Sequence, residues 1–233
     1  MRDITRPHTL EEIMHSCNSV NNNDQTGSKI CLINEEISQG LNIIERYPKK
    51  VSFFGSSRFT EANPYYQQAR SLASRLVKEL DYTVVTGGGP GIMEAANRGA
   101  KEAGGHSIGL NIQLPKEQVA NQYQTVSSPF HSFFTRKVTL TFAARMYIYF
   151  PGGFGTLDEF YEILTLVQNK KIHKVPIVLV GAKFWEPLDI NFHRKEMLAE
   201  EFQSIDPEDT SLYTITDDID TIMHIAHDAQ LRI

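Results

Sequence analysis

Residues 151–156, with the sequence PGGFGT, most constrain what this chain of 233 residues can fold into. They follow a short apolar run of β-forming residues, MYIYF, and precede a helical pattern over residues 156–168. This order predicts a strand, a tight glycine turn and a helix. Because Gly152, Gly153 and Gly155 have no side chains, a ligand can approach the backbone closely. The free N–H groups of the new helix favour a phosphate there.

The helix that begins at this turn carries two polar groups on one face. Thr156 and Glu159 are three residues apart, so their side chains lie side by side on a helix surface. A hydroxyl and a carboxylate would therefore meet beside the bound phosphate, whereas Asp158 points elsewhere and acts as a charge at the helix start. Because a helix N-terminus favours negative charge, we expect Glu159 to be ionised. The same pattern is also typical of an ordinary helix start, so it does not define a site alone.

The rest of the chain alternates short β-type runs with helical patterns. From residue 49 onward, this alternation requires a mostly parallel sheet whose crossover helices cover both faces. We predict one α/β domain over residues 49–233, a doubly wound Rossmann-like fold. Residues 1–48 are predicted to form a helical extension, with a short helix over 9–20 and a longer one over 30–47 that packs on the domain as an appendage.

Three loops rich in glycine or serine follow strands of this predicted sheet. In doubly wound sheets, ligands bind beyond the carboxyl ends of the strands, where the strand order reverses. Loops 55–58, 87–91 and 151–156 meet that requirement, and we expect them to line one pocket. In the first loop, Ser56 and Arg58 are the weaker candidates for contacts to a phosphate or a base.

The second loop, GGGPG, opens a helix and is a candidate cradle for a phosphate or a ribose. Gly88 and Gly89 are its predicted binding residues, because glycines free the backbone N–H groups. The loop differs in spacing from the dinucleotide fingerprint GxGxxG, and no acidic residue ends the following strand. On the helix, Glu94 is a further candidate that could share one side with Asn97 and Arg98. Alternatively, Glu94 and Arg98 form a surface ion pair one turn apart.

Two adjacent cations, Arg136 and Lys137, stand at the start of a helix predicted over residues 132–144. Positive charge is disfavoured near a helix N-terminus, so the pair indicates a compensating anion, either a ligand or a carboxylate of the protein. The segment from Arg136 to Glu159 is long enough for one helix, one strand and the glycine turn. That path can return the chain to the same rim of the sheet.

Composition limits the partners. A net charge of -5 and a pI near 5.9 argue against nucleic-acid binding through phosphate neutralisation. The charged N-terminus and the short apolar runs indicate no signal peptide and no membrane span. Cys17 and Cys31 lack CxxC spacing and predict neither a disulfide framework nor a zinc site, and His224 and His227 lack a third metal ligand. We therefore expect a cytoplasmic protein that binds a small molecule and no metal.

The motif PGGFGTLDE, preceded in order by GGGPGIMEAANRGA and FFTRK, resembles the LOG (Lonely Guy) family of phosphoribohydrolases, also described as possible lysine decarboxylases. The resemblance covers residues 51–181 and is closer to the bacterial second type. It implies hydrolysis of the N-glycosidic bond of a nucleoside 5′-monophosphate carrying adenine or N6-modified adenine, without a cofactor. By this resemblance Arg136 and Glu159 are the catalytic pair, and the protein is a homodimer or larger homo-oligomer that pairs through the apolar face of the helix over 133–144.

The implied reaction agrees with the chemistry of these residues. Breaking the ribose C1′–N bond builds positive charge on the sugar, which a nearby carboxylate stabilises. We therefore assign Glu159 to cation stabilisation or water activation, and Arg136 to orienting the nucleotide and assisting departure of the base. Lys137, together with the glycines and Thr156, is predicted to bind the substrate. Decarboxylation with pyridoxal phosphate is excluded because no lysine stands in a motif that marks a Schiff base.

Two other functions fit the same fold. A nucleotide or cofactor carrier, similar to molybdenum cofactor carrier proteins, would keep the glycine loops without needing Arg136 and Glu159. A nucleotide-sensing module would use its N-terminal helices to contact a partner, so removal of residues 1–48 would leave hydrolysis intact and abolish partner binding. The sequence does not decide which base is preferred.

Overall fold

The structure, a computed structural model, describes residues 25–113 and 120–230. The helix expected over residues 9–20 and Cys17 lie outside these ranges. Within these two ranges, seven parallel strands form one sheet in the order β4-β3-β2-β1-β5-β6-β7. The strands are β1 (Lys50–Phe54), β2 (Thr83–Thr86), β3 (Ser107–Ile112), β4 (Val126–Phe130), β5 (Met146–Tyr149), β6 (Ile177–Leu179) and β7 (Thr214–Ile215).

Helices connect these strands on both faces of the sheet. In the described ranges they are α1 (Gln25–Glu45), α2 (Pro64–Leu80), α3 (Ile92–Glu102), α4 (Phe133–Thr141), α5 (Phe154–Gln168), α6 (Ala182–Leu188) and α7 (Ile219–Gln230). Local chemistry sets their ends. For example, the Asn63 side chain accepts a hydrogen bond from Tyr65 N at the start of α2, and Asp81 ends that helix in the left-handed conformation.

The strand order places a reversal between β1 and β5. The chain adds β2, β3 and β4 on one side of β1 and then returns to add β5 on the other side, with Val51 opposite Met146. The prediction of a Rossmann-like α/β fold is therefore confirmed. The loops that follow β1 and β5 leave the sheet side by side, as ligand sites of this fold class require.

The core is divided by the sheet because successive strand residues face opposite sides. Val51 and Phe53 of β1 pack against α2, α3 and α7, whereas Phe54 packs with Tyr149 on the side of α1, α4 and α5. Tyr149 and Phe160 continue that second core to Trp185 of α6. Both faces of the sheet are covered, which explains why most residues of its central strands are buried.

Two expectations about local structure are wrong. The helical pattern of the sequence predicts one helix over residues 185–202, but the structure has α6 followed by a π-helical segment, Asp189–Met197. Pro187 lies inside α6 and has no backbone N–H for the regular α-helical hydrogen bond. A 3₁₀ turn, Pro207–Ser211, precedes β7. Cys31 on α1 is disulfide-bonded, against the expectation from the cysteine spacing.

Candidate functional site

The three glycine- and serine-bearing loops meet at the reversal point of the sheet. Ser56 N donates to Pro151 O across 3.0 Å, which joins the loop after β1 to the glycine turn. Ile92 N donates to Ser56 O, also across 3.0 Å, and joins the loop after β2. Gly91 has a φ of +70°, and a Cβ there would lie 2.2 Å from Ser56 O, so the contact needs a glycine. The structure therefore brings together the three loops as expected.

The glycine turn leaves open space beside the start of α5. The helix begins at Phe154, two residues earlier than the sequence pattern indicates, with Gly153 as an N-cap that offers no side chain. A Cβ at Gly153 or Gly155 would meet nothing within 4 Å. Within the described ranges no protein group accepts a hydrogen bond from the N–H groups of Phe154 and Gly155, so this helix start can receive an anion.

Thr156 and Gly152 form the inner wall of this turn. A Cβ at Gly152 would lie 2.1 Å from Thr156 Oγ1 and 3.0 Å from Ser56 N, so the hydroxyl is close to the turn backbone. The Thr156 N–H already donates to Gly153 O across 3.0 Å. Thr156 can therefore offer a ligand its hydroxyl group, whereas its amide is occupied within the turn.

The Arg136 guanidinium reaches from α4 to the carboxyl ends of two central strands. Its Nε donates to Leu110 O across 2.7 Å, and its Nη2 donates to Gly87 O across 3.2 Å. Burial lowers the pKa of Arg136, and the charge of Glu159 opposes that shift. Arginine stays cationic despite such shifts. Two of its five N–H groups are thus used for anchoring, and the others are available to a ligand.

The Glu159 carboxyl has an environment opposite to the one expected. Burial raises its pKa to about 7, and Glu162 and Asp158 add to the rise, although Lys137 and Arg136 act against it. The expectation that the helix N-terminus keeps Glu159 ionised is therefore wrong, because desolvation outweighs the helix dipole. No protein hydrogen bond to this carboxylate occurs within residues 25–113 and 120–230. This carboxyl is partly buried, its pKa is about 7, and it has no hydrogen-bond partner among the residues that the structure describes.

Lys137 differs from its neighbour because protein carboxylates compensate its charge. Its Nζ lies 2.7 Å from Asp158 Oδ2 and 3.2 Å from Glu162 Oε2. Asp158 is exposed, whereas Glu159 is partly buried. Of the two adjacent cations, Lys137 forms ion pairs with carboxylates and Arg136 forms none in the described chain, and Lys137 also acts on Glu159 through its electrostatic field.

The glycine loop after β2 is buried and held by side-chain amides. Gly88 adopts a φ of +73°, and its N–H donates to Thr86 Oγ1 across 2.9 Å. Its carbonyl accepts hydrogen bonds from Asn121 Nδ2 at 3.1 Å and Gln124 Nε2 at 2.9 Å, and Asn121 Nδ2 also donates to Gly89 O at 3.0 Å. Because the Gly88 N–H is occupied, this loop offers a phosphate fewer donors than expected.

Sequence reasoning did not find Asn121 and Gln124. They lie beyond the described end of β3, in a stretch without strong periodicity, and nothing in their spacing relates them to Gly88. Asn97, which the spacing could place on one side of the helix with Glu94, is fully buried and accepts a hydrogen bond from Thr86 Oγ1 at 2.6 Å. Asn121 and Gln124 hold the glycine loop through hydrogen bonds to its carbonyl groups, and Asn97 contacts the Thr86 side chain that precedes the loop.

Glu94 and Arg98 do not pair with each other. Glu94 accepts a hydrogen bond from Tyr66 OH across 2.8 Å, and burial together with this carboxylate raises the Tyr66 pKa to about 12. Arg98 instead contacts Glu102 and Glu61, each at 2.9 Å. The alternative of a surface ion pair between Glu94 and Arg98 is therefore wrong.

The remaining candidates lie at the outer edge of the loops. Ser56 accepts a hydrogen bond from Arg58 N across 3.1 Å, and the Arg58 side chain is exposed. In the described part of the chain, no group of three or more His, Cys, Asp or Glu residues is arranged to hold a metal ion. No helix there is long and apolar enough to cross a membrane.

A parallel sheet with glycine loops at its reversal point, and an arginine that interacts electrostatically with a partly buried carboxyl, defines a Rossmann-like α/β protein with a candidate anion site. The family model described as possible lysine decarboxylase matches residues 93–225, more than half of the chain. The chain therefore belongs to this family, which includes the LOG phosphoribohydrolases. The resemblance seen in the motifs is confirmed.

Known relatives and solved structures are similar to parts of this chain. A cytokinin riboside 5′-monophosphate phosphoribohydrolase from Arabidopsis thaliana is 30% identical over 143 residues, which are 60% of this chain and 62% of that protein. One from Rhodococcoides fascians is 26% identical over 147 residues, 60% of this chain and 72% of that protein. The chain thus spans less than two thirds of the plant relative.

Solved structures share the fold. The molybdenum cofactor carrier protein from Chlamydomonas reinhardtii superposes with a TM-score of 0.57 at 20% identity, over 79% of this chain and 99% of that one. The molybdenum cofactor binding protein from Rippkaea orientalis gives a TM-score of 0.55 at 18% identity, over 77% of this chain and 96% of that one. At these identities the likeness concerns the fold alone.

Proposed function

We propose that this protein hydrolyses the N-glycosidic bond of a nucleoside 5′-monophosphate, releasing the free base and ribose 5-phosphate. The base in this proposal is adenine or an N6-modified adenine, and the names of two relatives state a cytokinin riboside 5′-monophosphate as their substrate. The observation that carries the proposal is the pair of Arg136 and Glu159. An anchored cation with free donors interacts electrostatically with a carboxyl that has no hydrogen-bond partner in the described chain, and that carboxyl lies on the helix whose N-terminus is open.

In the proposed reaction, the ionised carboxylate of Glu159 is the catalytic group. The C1′–N bond breaks with its electron pair leaving on the base, and positive charge develops on the ribose. The carboxylate stabilises this charge and accepts a proton from the water that adds to C1′. The base takes up one proton, so nucleotide and water give base and ribose 5-phosphate. A pKa of about 7 suits this exchange at neutral pH.

Arg136 and the glycine turn position the nucleotide. The 5′-phosphate rests on the N–H groups of Phe154 and Gly155 and on the Thr156 hydroxyl, where the helix N-terminus favours negative charge. The free N–H groups of Arg136 hydrogen-bond the departing base or the ribose. Binding the phosphate at a distance from the reacting carbon holds C1′ against Glu159. The other proposed binding residues are Gly152, Gly153, Gly88, Gly89, Glu94, Lys137, Ser56 and Arg58.

The surroundings of the site support a homo-oligomer. Phe133, Phe134 and Phe154 are 55%, 60% and 92% exposed, and all three lie next to Arg136 or in the glycine turn. Exposed aromatic side chains of this size are enriched at protein interfaces. We propose that α4 pairs with a second copy and that the protein works in the cytoplasm without nucleic acid, membrane or cofactor. Residues 1–48 and 49–233 remain the proposed extension and domain.

The test is product release from a panel of nucleoside 5′-monophosphates and the matching nucleosides. Free base and ribose 5-phosphate are measured for the wild type, for Glu159→Gln and for Arg136→Lys. We expect the wild type to release base from the monophosphates and each variant to lose at least about 100-fold in kcat, as the removal of one transition-state group does. Glu186→Gln, an exposed carboxylate on α6, is the matched control and should stay active.

A carrier gives a different result. Tight binding of AMP by the wild type with no base released from any nucleotide would contradict the hydrolase. Retained binding in Glu159→Gln and Arg136→Lys would then support a carrier or sensor, because neither function needs this pair.

A further inference from the structure

Glu36 is a buried carboxylate far from the glycine turn in sequence. It lies on α1, in the helical extension that we predicted to pack on the domain as an appendage, and is only 3% exposed. Its Oε1 accepts hydrogen bonds from the backbone N–H of His131 at 2.8 Å and from His131 Nδ1 at 2.8 Å. Its Oε2 accepts from Thr135 Oγ1 at 2.6 Å. Burying a carboxylate is costly unless such donors satisfy it.

The His131 ring is oriented by this contact. Its Nε2 is buried and has no hydrogen-bond partner in the described chain, so the proton of the neutral ring belongs on Nδ1, where Glu36 accepts it. The carboxylate therefore contacts both the backbone and the side chain of the residue that connects β4 to α4.

The groups that donate to Glu36 lie just before and within the first turn of α4. Ser132, the N-cap residue, makes no capping hydrogen bond with its own side chain. Arg136 N donates to Ser132 O across 3.2 Å and closes the turn. Glu36 contacts the residue before this turn, His131, and the residue before Arg136, Thr135. It supplies from another helix the negative charge that a helix N-terminus ordinarily receives from its cap.

Close packing holds α1 in one place against α4. A Cβ at Gly40 would lie 2.5 Å from Thr139 Oγ1 and 2.9 Å from Phe130 Cζ. Glycine is less favourable than alanine within a helix, and its presence here permits the close approach. Gly40 stands one helical turn after Glu36, which places the carboxylate at the start of α4 and prevents the helices from sliding.

We propose that Glu36 is a positioning residue for Arg136 in the reaction proposed above, on which its role in turnover rests. Glu36 contacts His131, which precedes the N-cap of α4, and Thr135, which lies in its first turn. Arg136 follows in the same turn, and its guanidinium donates to Leu110 O and Gly87 O. The helix α1 is then part of the active-site framework. A misplacement of a reacting group by about 1 Å can cost about 100-fold in rate.

Kinetics provides the first test. Glu36→Gln and Thr135→Val remove opposite ends of one contact, and each should lower kcat about 10- to 100-fold with KM changed less than about threefold. The double variant should be no slower than the slower single variant, because both break the same contact. Glu35→Gln, the neighbouring position on α1, is the matched control and should keep the wild-type kcat. A lowered melting temperature with unchanged kcat in Glu36→Gln would overturn the proposal.

A second test does not depend on turnover. In protein labelled with ¹⁵N-arginine, the Nε–H signal of Arg136, identified by its loss in Arg136→Lys, reports the hydrogen bond to Leu110 O. We expect slow exchange of this proton in the wild type and exchange at least about tenfold faster in Glu36→Gln, with no change in Glu35→Gln. Unchanged exchange in Glu36→Gln overturns the proposal even if the wild type releases no base, so failure of the hydrolase and failure of the positioning role are distinguished.

Discussion

Arg136 occupies the space in which a side chain at position 87 would lie. Its Nη2 donates to Gly87 O across 3.2 Å, and a Cβ on Gly87 would lie 2.0 Å from that same nitrogen. The loop after β2 is therefore shaped to receive the guanidinium, and the loop backbone serves as its acceptor. This contact directly connects the GGGPG loop to the arginine of the FFTRK motif.

Gly87→Ala tests this relationship. The added methyl group forces the guanidinium away from Gly87 O, so kcat should fall about 100-fold while the overall fold is retained. Gly155→Ala is the control for adding a methyl group to a glycine loop without a clash with protein, since nothing lies within 4 Å of its Cβ. It should affect KM for the nucleotide more than kcat. Full activity of Gly87→Ala would show that Arg136 does not need this position.

The pH profile tests the protonation state of Glu159. Its pKa is about 7 in the free protein, and the proposed reaction uses the ionised form. We expect kcat/KM to rise about tenfold per pH unit below pH 7 and to level off above it, because this parameter reports the free enzyme. A steady-state series from pH 5 to pH 9 measures it. A fall in kcat/KM as pH rises through 7 would instead assign Glu159 as the proton donor.

Lys137 and Glu162 should move this profile in opposite directions. Lys137 lowers the pKa of Glu159 and Glu162 raises it, through the space between their charges. Lys137→Gln should therefore shift the midpoint of the acid limb to higher pH, and Glu162→Gln should shift it to lower pH. The same pH series on both variants provides the comparison. Midpoints that move together, or that stay in place, would show that the limb does not belong to Glu159.

Glu159 should cost stability at neutral and alkaline pH. Its folded pKa of about 7 lies above the ordinary value of 4.5, so the folded state holds a proton that the unfolded state has released. Stability is therefore lost as pH rises from about 4.5 to about 7. Glu159→Gln should be more stable than the wild type by up to about 3 kcal/mol at pH 8, and nearly equal to it at pH 4.5. Urea unfolding at both values measures this, and equal differences at the two pH values would contradict it.

Much of the fold follows from local patterns that a single sequence displays. The alternation of apolar runs with helical patterns predicts the parallel sheet. The point at which the strand order of that sheet reverses places three loops at one edge. The hydrogen bonds of Ser56 to Pro151 and Ile92 confirm that meeting. Glycines, caps and periodic apolar residues act over a few positions, so their effect is visible without the fold.

The electrostatics of the site was predicted less well. The spacing of Thr156 and Glu159 predicts a shared face, but the direction of the Glu159 pKa depends on how much water the folded chain removes. The fate of the two cations also differs, since Lys137 meets Asp158 and Glu162, while Arg136 meets backbone carbonyls. Arg136 and Lys137 are adjacent in the sequence, yet the folded chain gives each of them different partners.

The sequence by itself determined the strand–turn–helix at the glycine motif, the α/β class and the family, because these depend on short-range geometry and on motif order. Only the tertiary structure decided that Glu36 contacts the turn before Arg136 and that Asn121 supports Gly88. Such contacts join residues that are distant along the chain, and nothing in their local surroundings specifies the partner. The physical reason is that desolvation and hydrogen bonding depend on all neighbours in space, and those neighbours exist only once the sheet and its helices are packed.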